Sequence, residues 1–244
     1  MRNKRPSNWI DRMGETNKNK FGTEMKIVEH ENWYNTTIEF QDEHRFRRNV
    51  CYGDFKLGKV RNPYDRILYG AGFLGEGAPT RVDKIEVPAY RIWRDIIRRC
   101  YSSERRPRQG SYKNCIVSES WKNYSNFYKW YNNHIYQCRD KLQLDKDLLS
   151  NGKKIYSEET CMIVPYKINR FCVMSKVIGA TYTKNKKWRS RICTTELGIF
   201  DKKEDAQRMY LKEKNRLFYE LVEDYQSELP TDVYNKLKEV RLVE

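Results

Sequence analysis

The chain has 244 residues, room for one large domain or for two to three small ones with separate cores. Lys plus Arg number 48 against 33 Asp plus Glu, a formal charge of +15, which calls for polyanionic partners, nucleic acid ahead of anionic membrane. A hydrophobic fraction of 39% excludes wholesale disorder, and no run approaches the ~20 apolar residues of a membrane span, so a cytoplasmic chain with no membrane partner is expected.

Residues 1–20 are polar, charged and without periodicity, and read as a basic arm. The opening MRNKRPSNWIDRMGE lacks the apolar stretch of a secretory signal. From Met25, alternation in MKIVEH, TTIEF and RFRRNVCY predicts short strands. The following FKLGKVRNPYDRILYGAGFLGEGAP, with a turn at Asn62-Pro63 and glycines at 70, 72, 75 and 77, predicts turns that close a small β-rich module over 21–83. GAGFLGEG is not followed by Lys-Ser/Thr and sits in no βαβ pattern, so no small-molecule cofactor is expected there.

Residues 89–101 place Ile92, Trp93, Ile96, Ile97 and Cys100 on one helical face and Arg91, Arg94, Arg98 and Arg99 largely on the other. That basic face is a candidate for phosphate contact or an ordinary solvated face. SSERRPRQGSYKN reads as an arginine-rich loop and CIVSESW as a short strand. Trp121, Tyr124, Phe127, Tyr128 and Tyr131 then fall at helical spacing, as core rather than base-stacking residues, with Ser118 or Ser120 as the cap.

The segment LQLDKDLLSNGKKIYSEETCMIVPYKINRF predicts a strand, a glycine-containing loop, a second strand and a short basic helix bearing Lys167 and Arg170. A divalent metal beside a phosphate needs oxygen ligands, and Asp145 on the strand with Asn169 on the helix supply two across a hairpin. Strict alternation would put Asp147 on the face of Asp145, as base or third ligand, unless these acids are merely loop or ion-pair residues. The seven cysteines are widely spaced with no C-x-x-C and read as free thiols. No zinc is expected; a composite site from Cys100, Cys115 and Cys161 is the alternative. His30, His44 and His134 fall outside the central segment.

From Val177, KWRSRI alternates, with Trp188, Ser190 and Ile192 on one face of a strand and Lys187, Arg189 and Arg191 on the other. LGIF gives another strand, Asp201 a helix cap, Ala206, Met209 and Tyr210 the helix itself, and Pro230 the entry to a last helix.

The run from YRIWRDIIRRCY through SYKNCIVSESWKNYSNFYKWY to LDKDLLSNGKKIYSEETCMIVPYKIN, residues 89–170, resembles the HNH endonucleases of phages and mobile introns. The resemblance implies a ββα-metal fold in which Asp145 and Asn169 bind Mg²⁺ or Mn²⁺. Lys146 stands where that family has its histidine base, and Thr160 where it has the asparagine that orients the base. Gly179, Lys187, Trp188, Ile192, Leu197, Gly198, Phe200, Glu204, Asp205, Ala206 and Tyr210 resemble the ERF/APETALA-type DNA-binding domain. That implies a three-stranded sheet contacting DNA through Lys187, Arg189 and Arg191, with Tyr182 and Lys184 beside them. The N-terminal module loosely resembles small β-modules that accompany phage HNH proteins.

The expected architecture is therefore α+β: a basic arm (1–20), a small β-module (21–83), an HNH-like ββα-metal domain (84–172) and an ERF/APETALA-like sheet-and-helix domain (173–244). The expected partner is double-stranded DNA, in the host cytosol of a phage or bacterium. Two functions fit: a metal-dependent endonuclease of the homing type with Lys146, Asp147 and Thr160 around the chemistry, or a non-cleaving regulator or anti-defence protein of the same ancestry.

Overall fold

Alternating burial builds the first sheet of the computed structural model, which describes residues 10–103, 114–149, 152–173 and 179–242. β1 (Thr16–Lys18), β2 (Glu24–Asn32), β3 (Asn35–Phe40) and β4 (Arg47–Val50) run antiparallel in the order 1-2-3-4. Met25, Ile27, Ile38 and Phe40 point to one face, where they bury with Tyr52 and Phe55 of α1 (Tyr52–Lys56) and with Val60. The expected arm is corrected here: Thr16 to Lys18 pair with β2 (Thr16 opposite Lys26), so the sheet extends into that segment. Residues 1–9 lie outside the described residues.

The chain divides into two compact units. The first is 1–108 with 122–128; the second is 109–121 with 129–244. This partition departs from the expected boundary near residue 84, because α2 (Pro88–Tyr101) belongs to the first unit. A small hairpin precedes it, β5 (Arg81–Val82) and β6 (Ile85–Glu86), joined through Asp83 and Lys84 at positive φ, the two-residue turn that matches strand twist. α2 buries Ala89, Trp93, Ile96, Ile97 and Cys100, and Trp93 lies 5.3 Å from the Tyr124 ring within the same unit. The expected loop arginines Arg105, Arg106 and Arg108 lie outside the described residues.

In the second unit β7 (Ile116–Val117) is followed by a turn in which Ser118 Oγ accepts the Trp121 N–H at 3.3 Å. α3 (Glu119–Lys122) and α4 (Tyr124–His134) follow; of their buried aromatics Trp121 and Trp130 count with the second unit, Tyr124 and Phe127 with the first. β8 (Leu142–Asp145), β9 (Ile155–Tyr156) and β10 (Met162–Pro165) form two separate pairs: β8 runs antiparallel to β10, while β9 runs parallel to β7. α5 (Tyr166–Val173) follows β10 directly, in the expected strand–loop–strand–helix order. β11 (Ala180–Tyr182), β12 (Trp188–Ile192) and β13 (Thr195–Phe200) make an antiparallel three-stranded sheet packed on α6 (Lys203–Asp224), and α7 (Thr231–Glu239) enters at Pro230. The chain is thus mixed α+β with several small sheets.

One core unites β10, α5, α6 and α7: Met162, Val164, Ile168, Phe218, Val222, Tyr225, Leu229, Val233 and Leu237. At the other end of α6, a Cβ on Gly179 would fall 1.8 Å from Tyr210, so glycine is what lets the chain entering β11 lie against the helix. The expected cap at Asp201 is corrected: α6 begins after Lys202, which makes no side-chain cap bond, and Asp201 pairs with Lys187 at 3.1 Å. Among the described residues no helix is long and apolar enough to cross a membrane.

Candidate functional site

β8 ends at an acid because the turn beyond it needs an acceptor. Asp145 Oδ1 accepts the N–H groups of Asp147 and Leu148, each at 2.8 Å. The strand stops there, and Asp147 turns outward to an exposed position. The expectation that Asp147 shares the face of Asp145 is thereby corrected: alternation holds only while the strand continues.

Gln143 precedes Asp145 by two residues on β8, hence on the same face. Its Oε1 accepts the Asn169 Nδ2–H at 2.7 Å. Asn169 Oδ1 is buried and finds no hydrogen-bond partner among the described residues. α5 thus lays its amide along the strand face that carries Asp145, and an oxygen on it is left over. Asp145 itself is 7% exposed. Burial raises its pKa above the usual carboxylate range against the pull of the two N–H bonds, and the Asp147 charge adds to the rise.

Two thiols flank this acid. Burial, with a contribution from the Asp145 charge, pushes both Cys161 and Cys172 up to about 12, so both are neutral thiols at pH 7 rather than nucleophiles. All seven cysteines are free, and no group of three His, Cys, Asp or Glu side chains suited to a metal occurs among the described residues. A metal here would rest on one carboxylate, one amide and water. That donor set is all oxygen and suits Mg²⁺, which keeps several waters, and the unpartnered Asn169 Oδ1 fits it.

The position after Asp145 has a different character. The Lys146 side chain is buried, its Nζ pairs with the Asp147 carboxylate and lies 5.9 Å from the centre of the Tyr156 ring. An ammonium so paired has no lone pair with which to accept a proton. Thr160 is occupied as well: its hydroxyl donates to Ile155 O at 2.8 Å and accepts the Ser157 N–H at 3.1 Å, which ties the turn between β9 and β10. The histidines are engaged elsewhere. His30 Nδ1 lies 3.0 Å from Thr36 Oγ1, His44 stacks on Tyr64 at 3.6 Å, and His134 stacks on Trp130 at 4.5 Å.

The expected DNA-facing cations divide into two groups. Arg94 is clamped to Glu86 at 2.6 and 3.3 Å, Arg98 pairs with Asp95, and Arg99 is half-buried, which leaves Arg91 as the exposed arginine of α2. That helix is less cationic than its sequence suggested. On the three-stranded sheet, Ser190 and Ile192 are buried while Arg189 and Arg191 are exposed, with Arg189 in register between Thr181 and Ile199. Neither arginine makes an ion pair among the described residues. Lys184 is exposed in the β11–β12 turn, and Lys187 is held by Asp201. Lys167 and Arg170 are exposed on α5, Arg170 reaching the Tyr166 hydroxyl at 3.4 Å.

Two residues escaped sequence reasoning. Gln143 carries the signal of its spacing, two before Asp145. Lys214 is 2% exposed with its Nζ unpartnered among the described residues, and its signal was the stripe Ala206, Tyr210, Lys214, Phe218, Val222 at four-residue spacing. No family model, curated protein or solved structure matches the chain.

Proposed function

We propose that the chain is a duplex-DNA-binding protein of the phage HNH homing-endonuclease type, with Asp145 and Asn169 as the oxygen ligands of one Mg²⁺ or Mn²⁺. One observation carries the reading. Asp145 at the end of β8 and Asn169 on α5 lie along one strand face, joined through Gln143, with the Asn169 oxygen buried and unspent. A buried amide oxygen without a partner is costly, and a cation bound there would satisfy it. A bound divalent ion supplies charge stabilisation at a phosphate and lowers the pKa of its water. The β11–β13 sheet, with Arg189 and Arg191 on its open face, supplies the duplex contact in the manner of the ERF/APETALA-type domain, and Lys167 and Arg170 add charge beside the metal pair.

A second reading, DNA binding without cleavage, is favoured by the Lys146–Asp147 pair, which fills the position of the base with a neutralised ammonium. Nicking of supercoiled plasmid with Mg²⁺ or Mn²⁺ tests both. Cleavage by the wild type that disappears in Asp145→Ala and Asn169→Ala supports the endonuclease. Equal background in all three, with salt-sensitive duplex binding retained, supports the second. Duplex affinity indifferent to salt would overturn both, because phosphate contacts release counterions.

A further inference from the structure

The first unit holds a cleft of about 960 Å³ bounded by the β1–β2 turn, β4 and the loop after α1. Lys20, Arg48, Lys59 and Arg61 line it, and all four are exposed. None makes a side-chain hydrogen bond or ion pair among the described residues. Glu76 is the one acid in the lining, and its carboxylate accepts the Tyr64 hydroxyl at 2.5 Å. Phe21 also lines the cleft, yet it is 59% exposed. An exposed phenyl among four cations has no role in the sheet's core, which lies on Met25, Ile27, Ile38 and Phe40.

The turn that carries Lys20 and Phe21 is rigidly built. Asn19, 5% exposed, accepts the N–H groups of Phe21 at 2.9 Å and Thr23 at 3.0 Å. Its amide donates at 2.7 Å to the buried Asp65, which also accepts the Thr23 hydroxyl at 2.5 Å. Against the same turn, Gly58 has φ +63 and would bring a Cβ within 2.7 Å of Lys18 O. Only glycine permits that approach, and the Lys20 N–H bonds Gly58 O at 3.0 Å. An Asn–Asp–Thr hub and a glycine contact therefore fix the backbone that carries a cation and an aromatic before any ligand arrives, which lowers the ordering cost.

Four unpaired cations call for a polyanion, and an exposed ring calls for a flat π face. Duplex DNA offers phosphates and base edges, but its base faces are covered by their neighbours; only an unpaired strand offers a face to stack on. The volume is of the order of small-molecule pockets, roughly 300–1,000 Å³, which suits one or two nucleotides. We propose that this cleft binds a single-stranded nucleic-acid segment, its phosphates on Lys20, Arg48, Lys59 and Arg61 and a base stacked on Phe21. The proposal rests on the first unit alone and does not depend on the duplex contact assigned to β11–β13.

Anisotropy of a fluorescein-labelled oligothymidylate titrated with the full-length chain tests it, thermal melts confirming that each variant folds. The affinity of the wild type should fall with salt at a slope near −0.7 for each phosphate contact. Arg48→Glu with Arg61→Glu should weaken oligothymidylate at least tenfold. Phe21→Ala should weaken it roughly fivefold or more, Phe21→Trp should retain it, and neither should alter duplex affinity. Arg189→Ala with Arg191→Ala should do the reverse, losing duplex and keeping oligothymidylate, so the two readings fail separately. Oligothymidylate binding that ignores Arg48, Arg61 and Phe21 overturns the proposal. So does an abasic oligomer that binds as tightly as oligothymidylate, since the surface would then be a plain polyanion patch.

Discussion

Replacing Asp145 by Asn and by Ala separates what its shape does from what its charge does. Asp145 Oδ1 accepts two backbone N–H groups at 2.8 Å; Asn keeps an oxygen there, and Ala does not. Hydrogen bonds to a charged acceptor contribute about 1.5–3 kcal/mol each when fully sheltered. Asp147 is exposed and Leu148 half-buried, so water recovers part of that in the Ala variant, and a net loss of about 1–3 kcal/mol is expected. At about 2–4 °C per kcal/mol for a chain of this size, Asp145→Ala should melt roughly 2–12 °C lower. Asp145→Asn should melt at or above the wild type, because the turn survives while the burial that raises the Asp145 pKa no longer strands a charge. Mg²⁺ reverses the order. At about ten times its Kd a ligand adds about 1.4 kcal/mol, roughly 3–6 °C, to the wild type and nothing to Asp145→Asn or Asn169→Ala. Differential scanning fluorimetry at matched ionic strength, with and without millimolar MgCl₂, reads all of these. A melting point for Asp145→Asn as low as that of Asp145→Ala, or a Mg²⁺ shift that survives Asp145→Asn or Asn169→Ala, refutes the assignment of Asp145 and Asn169 as a ligand pair held at a cost to stability.

Arg189→Ala and Arg191→Ala should each weaken duplex binding and flatten its log–log salt slope by about 0.9 for each lost phosphate contact, with unchanged melting; a slope equal to that of the wild type would show that the sheet face does not touch DNA. Lys214→Met should stabilise the fold by about 1–3 kcal/mol at neutral pH, since it removes a buried unpartnered amine. Burial lowers the Lys214 pKa, Cys172 opposing, while the unfolded chain holds its proton up to the ordinary lysine range. Between those limits folding sheds a proton and the wild type gains stability as pH rises, so the advantage of Lys214→Met in urea melts should shrink toward alkaline pH, and an advantage that grows would contradict it. Phe218→Ala, in the core shared by β10, α5, α6 and α7, should cost about 3–5 kcal/mol, read as a lower urea midpoint; a loss below about 1 kcal/mol would mean that this core does not hold the unit together.

What was legible in the sequence followed local rules. Alternation in KWRSRI separates Arg189 and Arg191 from Ser190 and Ile192 because one face of that strand is buried. The strand–loop–strand–helix order through residue 170 was readable for the same reason, down to Asp145 at a strand end and Asn169 on a helix. Features set by distant partners were not. β7 pairs in parallel with β9, some forty residues on, and nothing in Ile116 and Val117 announces it. Arg94 reads as a free cation until the β5–β6 hairpin brings Glu86 to it. The periodicity that marks LQLDKD as a strand cannot say where the strand stops, and there a side-chain bond from Asp145 settled the fate of Asp147. Lys214 was hidden by its identity: its spacing marks a buried stripe, but a lysine is ordinarily assigned to water.

The 22 residues of α6 span roughly 33 Å, and the helix serves two masters. Its first turns lie under β11–β13, with Ala206 buried and Tyr210 over Gly179. Its later turns put Phe218 and Val222 into one core with Met162, Val164 and Ile168. The strand that pairs with β8, and the helix that carries Asn169, are thus mounted on the same rod as the sheet that presents Arg189 and Arg191. A continuous helix does not act as a hinge, so the sheet face of Arg189 and Arg191 and the Asp145–Asn169 face are carried at a fixed spacing; on the proposed reading, a duplex gripped by the one would meet the other without diffusion on a linker. Lys214 sits where the two packed halves of the rod meet, between Tyr210 and Cys172. An apolar side chain there would fuse the halves more tightly. The unpartnered amine weakens the fold at the point where sheet and hairpin are coupled.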